Sequence, residues 1–155
     1  MIKNVKVMEE VHNKIEQFFE DYEKRFAEGL AAQPDVEAIA DVFADFFVEA
    51  SPIGISGGKN DPEFRAAIPK GYDFYRSIGT TEMKINQLSI RDLDDFHYMA
   101  EAYWEALYNR DGESQSIEFN VIYFLQYLNE KLKIFAYITG DEQKVLKENG
   151  LIPDF

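Results

Sequence analysis

The feature that most constrains this chain is a change of hydrophobic period near Thr81. Before it, apolar residues recur every three or four positions; after it they alternate, and Ile, Tyr, Phe and Val dominate. The first pattern marks the stripe of an amphipathic helix and the second the two faces of a β-strand, so helices are predicted to precede a sheet. Turn signals RDLDD at 91–95, NRDG at 109–112 and LNEK at 128–131 cut the second part into four antiparallel strands. Asp111-Gly112 is the strongest of them, because both central residues of a tight hairpin turn need positive φ.

A two-residue hairpin loop pairs residues whose numbers sum to a constant, and side-chain alternation then fixes which residues share a face. Pairing Arg110 with Glu113 sets Trp104 against Phe119, Ala102 against Val121, Ala100 against Tyr123 and Tyr98 against Leu125. Pairing Leu128 with Lys131 adds Leu132, Ile134, Ala136 and Ile138 to the side that holds Tyr127, Leu125, Tyr123 and Val121. The shared face, with Phe96, carries no charge, so it is expected to be covered by helices. The opposite face holds His97, Met99, Glu101, Tyr103, Glu105, Leu107, Glu118, Asn120, Ile122, Phe124, Gln126, Lys133, Phe135 and Tyr137. Its apolar members, rimmed by charges, form the kind of patch found at protein interfaces, and a homodimer through this face is expected. For the strand at 82–91 two orientations stay open, with either Asn86, Leu88 and Ile90 or Met83, Ile85 and Gln87 inward.

In the first part, Met8, Val11, Ile15, Phe18, Phe19, Tyr22, Phe26 and Leu30 predict one long helix ending near Gly29. Val36, Ile39, Ala40, Phe43, Phe46 and Phe47 predict a second. SPIGISGGKN at 51–60 reads as a loop, with room for a short strand, and either a flexible lid or a plain connection is expected of it. Asp61-Pro62-Glu63 starts a third helix, which Pro69 should kink or split. Asp141 caps a short helix that stops at Gly150, with Leu151 placed for the accompanying apolar contact.

Charge narrows the function classes. With 16 Lys+Arg against 29 Asp+Glu, the 155-residue chain has a formal charge of −13, which repels phosphate backbones and anionic lipid surfaces. Neither a nucleic-acid nor a membrane partner is expected. There is no cysteine, which removes disulfides and thiolate chemistry. The opening MIKNVKVMEE lacks the apolar run of a secretory leader, and nothing approaches a membrane span. A single cytoplasmic domain over residues 1–155 is the expectation.

Taken together, the helix at 8–30, FADFFVEASPIGISGGKNDPEF, the hairpin AEAYWEALYNRDGESQSIEFNVIY and the strand KIFAYITGDEQ resemble the nuclear-transport-factor-2-like superfamily, nearest to its SnoaL-like group. The resemblance rests on layout and hydrophobic texture over most of the chain. It implies an α+β cone, three N-terminal helices packed on a curved antiparallel sheet, with any ligand held between the concave face and the helices. The superfamily includes isomerases, dehydratases, cyclases and epoxide hydrolases as well as proteins that only bind ligands, so the fold alone assigns no reaction. The resemblance implies that members which are hydrolases or cyclases bring a carboxylate into the cavity from the last strand, where this chain has Ala136 and Ile138. Any acid would then come from the helices, with Asp41, Asp45 and Glu49 as the nearest candidates.

Tyr98, Trp104, Phe119, Tyr123, Tyr127 and Ile138 are the candidate ligand-binding residues. They combine broad apolar surface with a few hydroxyl and indole donors, as a pocket for an apolar or aromatic small molecule requires, though such residues also build ordinary cores. Asp41, Asp45 and Glu49, four apart, would line one helix face and act as bases only if buried. His12 and His97 lie on different elements, and no metal ligand set can be composed from them. Asp92, Asp94 and Asp95 lack the spacing of a calcium loop, and Gly57-Gly58-Lys59 lacks the first glycine and the hydroxyl of a phosphate loop. No cofactor is implied. Three functions remain: a dimeric small-molecule-binding protein, a SnoaL-like acid/base isomerase, cyclase or dehydratase, or an interaction subunit that uses the exposed sheet face.

Overall fold

A computed structural model describes residues 5–153. Residues 1–4, which begin the segment searched above for a leader, and residues 154–155 lie outside the described residues. Helix α1 (Val5–Leu30) buries Val11, Ile15 and Phe19 along the predicted stripe. It ends with Ala32 at positive φ, where the Gln33 amide donates to the Glu28 carbonyl and the Ala32 amide to the Gly29 carbonyl. That paired closure is usually made by glycine.

Helix α2 (Val36–Asp41) is capped by Asp35, whose carboxylate accepts from the Ala38 amide. It is six residues long, and the predicted continuation through Phe47 is wrong: residues Phe43–Ser51 form strand β1. The spacing of Phe43 and Phe47 caused the error. Four positions bring residues to one side of a helix and of a strand alike, so this pair could not discriminate. Asn60 favours the switch, because its Nδ2 donates to the carbonyls of Ala40, at 2.7 Å, and Phe43, at 3.1 Å, at the end of the short helix.

The segment expected as a loop with room for a short strand does contain one, strand β2 (Gly54–Lys59), paired antiparallel along β1 from Phe46↔Lys59 to Ser51↔Gly54. Helix α3 (Pro62–Ser77) has Asp61 as its cap and Pro at its start, as predicted, and it is not split at Pro69. The residues around Arg65 and Pro69 are only partly buried, so solvent can take the carbonyl that the missing amide leaves free. Strands β3 (Thr80–Asp92), β4 (His97–Arg110), β5 (Glu113–Leu128) and β6 (Lys131–Ile138) follow, and the chain closes with α4 (Glu142–Glu148). Gly150 at positive φ and a buried Leu151 end α4 as expected.

The six strands form one curved sheet in the order β2-β1-β6-β5-β4-β3. Four antiparallel strands were expected; the two extra strands join through β1, which runs parallel to β6. The α1, α2 and α3 helices cover the concave side. Register decides which side chains reach that side. Between β4 and β5 every pair obeys the predicted arithmetic, from Arg110↔Glu113 to His97↔Gln126. Asp111 and Gly112 both have positive φ, so the turn imposes it.

The β5–β6 pairing starts as predicted, with Tyr127↔Leu132 and Leu125↔Ile134, and then shifts at Phe135 to give Phe124↔Ala136, Tyr123↔Tyr137 and Ile122↔Ile138. One extra residue in a strand reverses the facing of everything beyond it. The inward placement of Ala136 and Ile138 is therefore corrected: Tyr137 turns in, and Ile138 is 42% exposed on the convex side. Phe96, expected inward, lies exposed beside the β3–β4 turn. On β3 a similar irregularity between Ile85 and Gln87 places Met83 and Ile85 opposite Ala106 and Trp104, and Leu88 and Ile90 opposite Ala102 and Ala100. Each open alternative holds for half of that strand.

Candidate functional site

The covered face encloses a cavity of about 260 Å³. α1 brings Tyr22 and Phe26 into it on successive turns of the apolar stripe. β1 supplies Phe43 and Glu49, α3 supplies Tyr75, and β3 supplies Met83. β4 and β5 provide the floor with Trp104, Tyr108, Ile117, Phe119, Val121 and Tyr123. Tyr137, the 139–141 link and α4 residues Glu142, Val145 and Leu146 close one side. The wall is largely aromatic. Trp104 stacks on Phe119 with 6.5 Å between centroids and 9° between planes, and Phe26 and Tyr22 approach its ring at 5.4 and 6.1 Å.

Two kinds of polar group interrupt this surface. Deep in the cavity the Trp104 indole N–H donates to the Tyr123 hydroxyl at 3.2 Å. Burial pushes the phenols of Tyr22 and Tyr123 well above their ordinary pKa, so both stay neutral. Nearer solvent lie three carboxylates, those of Glu49, Asp141 and Glu142. The Tyr75 hydroxyl donates to Glu142 Oε1 at 2.7 Å. Glu49 sits opposite Tyr137 in the parallel β1–β6 pairing. Burial first, then the Glu49 charge and its hydrogen bond, push the Tyr137 phenol upward; burial and Glu142 do the same to Tyr75. Asp141 accepts from the Lys144 amide as the α4 cap.

Of the six candidates from the sequence, Trp104, Phe119 and Tyr123 line the cavity, and Tyr98, Tyr127 and Ile138 do not. Tyr98 is fully buried under α1, its ring edge-on to His12 and its hydroxyl donating to the Asp95 carbonyl at 3.4 Å. Tyr127 meets Lys14, which donates to its hydroxyl at 2.7 Å and lies over its ring. Ile138 is lost to the shift at Phe135. Asp41 is held in a surface ion pair by Lys133 at 2.9 Å, Asp45 is exposed on β1, and Glu49 alone of the three acids borders the cavity, from a strand and not a helix. No residue of 51–60 lines it, which removes the lid reading of that segment. His12 pairs with Asp92 at 2.5 Å and His97 with Asp94 at 2.8 Å, both away from the cavity. Among the described residues no cluster of His, Asp and Glu could hold a metal ion.

Tyr22 and Phe26 were legible as part of the α1 stripe but not as cavity residues, since a stripe states only that a face is buried. Tyr75, Tyr137 and Glu142 gave no signal, because their place depends on tertiary packing and on a strand irregularity.

The family model described as NTF2-like protein (DUF6841) matches residues 9–142. The chain belongs to this NTF2-like family. Solved structures share its architecture. Aln2 from a Streptomyces species is 14% identical with a TM-score of 0.64, covering 96% of this chain and 99% of that one. A putative scytalone dehydratase from Novosphingobium aromaticivorans is 12% identical with a TM-score of 0.62, covering 86% of both chains. An NTF-2 like protein of unknown function from Shewanella oneidensis is 18% identical with a TM-score of 0.60, covering 84% and 98%. At these identities the likeness is one of fold. No match was found among curated proteins. Among the described residues of this NTF2-like protein, no helix is long and apolar enough to cross a membrane.

Proposed function

We propose that this NTF2-like protein is a cytoplasmic homodimer that binds an apolar or aromatic small molecule in the cavity between its sheet and helices. The observation that carries the reading is the cavity itself, about 260 Å³ walled by Trp104, Phe119, Tyr22, Phe26 and Tyr123. Packed interiors seldom leave a void larger than a water molecule, and ligand sites are apolar hollows with few placed polar groups. The Trp104 indole N–H is spent on the Tyr123 oxygen, which leaves few free donors among the aromatic rings, so the inner wall favours a flat apolar body. The test uses Trp104, the sole tryptophan: native mass spectrometry should find a retained compound, and its removal and return should change Trp104 emission. A protein that carries nothing and whose emission responds to no apolar aromatic compound would refute the reading.

The dimer part draws on the convex face. There Phe46 is 68% exposed, with Val48, Ile138 and Tyr103 also exposed, and the half-buried Met99, Ile122, Phe124 and Phe135 complete the patch. Tyr137, counted in this patch from the sequence, faces the cavity instead. Light scattering should give twice the chain mass, and Phe46→Glu should halve it. A wild-type monomer would favour the interaction-subunit reading, with the patch left for a different protein.

One observation favours a second, enzymatic reading. Glu49 faces the cavity beside the Tyr137 phenol, so a carboxylate and a neutral phenol stand together at an apolar hollow, a pairing suited to acid/base isomerisation, cyclisation or dehydration. Glu49→Gln would abolish such turnover while the binding reading predicts no turnover to lose.

A further inference from the structure

We infer that the molecule held in this cavity is an organic cation, an apolar or aromatic body bearing a protonated or quaternary amine at the Glu49–Glu142 mouth. This rests on the ligand-binding reading above and adds the charge class of the ligand.

The carboxylates alone would be a solvated rim; what gives them a ligand is the hollow behind them. Its inner wall is lined by the rings of Trp104, Phe119, Tyr22 and Phe26, which take an apolar or aromatic body, and aromatic rings favour a neighbouring positive charge through their quadrupoles. Glu49, Asp141 and Glu142 border the same space, and among the described lining residues there is no lysine, arginine or histidine. Among the described residues, none of these three carboxylates is in an ion pair; the cations available on the chain are paired elsewhere or lie outside the lining. What the protein gives two of them is phenols. Tyr75 donates to Glu142 and Tyr137 faces Glu49, neutral donors that orient a carboxylate without cancelling its charge.

The alternatives fit less well. An anionic ligand would meet three carboxylates, with no basic side chain to answer it. A neutral hydrocarbon would be served by the aromatic wall but would leave three negative charges facing an occupied mouth. A cation uses both halves, and the −13 formal charge of the chain raises its concentration near the surface before it enters.

Three benzene derivatives test this: phenyltrimethylammonium, its neutral carbon isostere tert-butylbenzene, and the anion benzoate, each titrated against Trp104 emission. Phenyltrimethylammonium should bind about tenfold more tightly than tert-butylbenzene, as a desolvated cation on aromatic faces does, and benzoate should not bind. The double variant Glu49→Gln/Glu142→Gln should lose about that tenfold preference. The charge-matched Glu16→Gln/Glu20→Gln, on the exposed side of α1, should leave it within about twofold, because bulk charge at a distance is screened. Cooperative thermal unfolding of both variants reports that they fold. Tert-butylbenzene or benzoate binding as tightly as the cation, or the two double variants behaving alike, overturns the cation inference and leaves the cavity reading standing. Silence from all three probes overturns both.

Discussion

Tyr123→Phe deletes one oxygen from the floor of the cavity and strands a donor. Trp104 is 2% exposed and Tyr123 4%, and the indole N–H donates to the Tyr123 hydroxyl at 3.2 Å. Removing the acceptor does not merely lose one exchange of hydrogen bonds. It leaves a buried N–H unpaired in aromatic surroundings, which costs about 1–3 kcal/mol. For a domain of this length each kcal/mol moves the melting temperature by about 2–4 °C, so the variant should melt roughly 2–12 °C below wild type. The logic is sharpest as a double-mutant cycle with Trp104→Phe. That substitution removes the donor along with some buried area, so the double variant has no orphan and should cost less than the sum of the singles by about 0.5–3 kcal/mol. Urea unfolding followed by far-ultraviolet circular dichroism suits all four proteins, because fluorescence disappears with Trp104. A Tyr123→Phe protein within about 0.5 kcal/mol of wild type, the range of neutral surface changes, or strictly additive singles, would refute the claim that this bond satisfies an otherwise stranded group.

Three further outcomes are expected. The phenols of Tyr22, Tyr75, Tyr123 and Tyr137 are pushed above their ordinary range, and that of Tyr72 up to about 12; above pH 10 the unfolded chain loses phenolic protons that the folded chain keeps, so stability is intact below pH 10 and falls as pH rises from 10 towards 12. Phenolate absorbance should therefore rise together with loss of circular dichroism, and gradual ionisation of a still-folded protein would count against buried phenols. Gly29→Ala should destabilise by about 1–3 kcal/mol, because a Cβ there would lie 2.4 Å from the Tyr72 ring; unchanged urea unfolding would show that Tyr72 can move aside. Ala32→Gly and Glu130→Gly, both at positive φ of 63° and 61°, should each stabilise by roughly 0.5–1 kcal/mol by relieving the Cβ penalty, and a lowered denaturation midpoint in either would contradict the left-handed backbone at these turns.

How much of this was legible depends on how local each determinant is. α1, the caps at Asp61 and Asp141, the turn at Asp111-Gly112 and the β4–β5 register were all readable, because each is set by residues within a few positions. Phe43 and Phe47 misled because their spacing suits both periods, and only the Asn60 side chain and the parallel strand β6, far along the chain, decide between them. Glu49 was suspected as an acid near the cavity, but for the wrong reason: it was placed on a helix that does not form.

The order of amino acids by itself settled that the face shared by Trp104, Phe119 and Tyr123 on β4 and β5 carries no charge and that helices must cover it. Where that face is hollow, and what else reaches the hollow, was decided in three dimensions. A single extra residue at Phe135 reverses Tyr137 and Ile138, and no local preference announces it, because an irregular strand is stabilised by the neighbours it must fit on both sides. Likewise Glu49, Tyr75 and Glu142 come from segments of unrelated pattern and meet only because the packed helices and the parallel β1–β6 pairing bring them to one mouth.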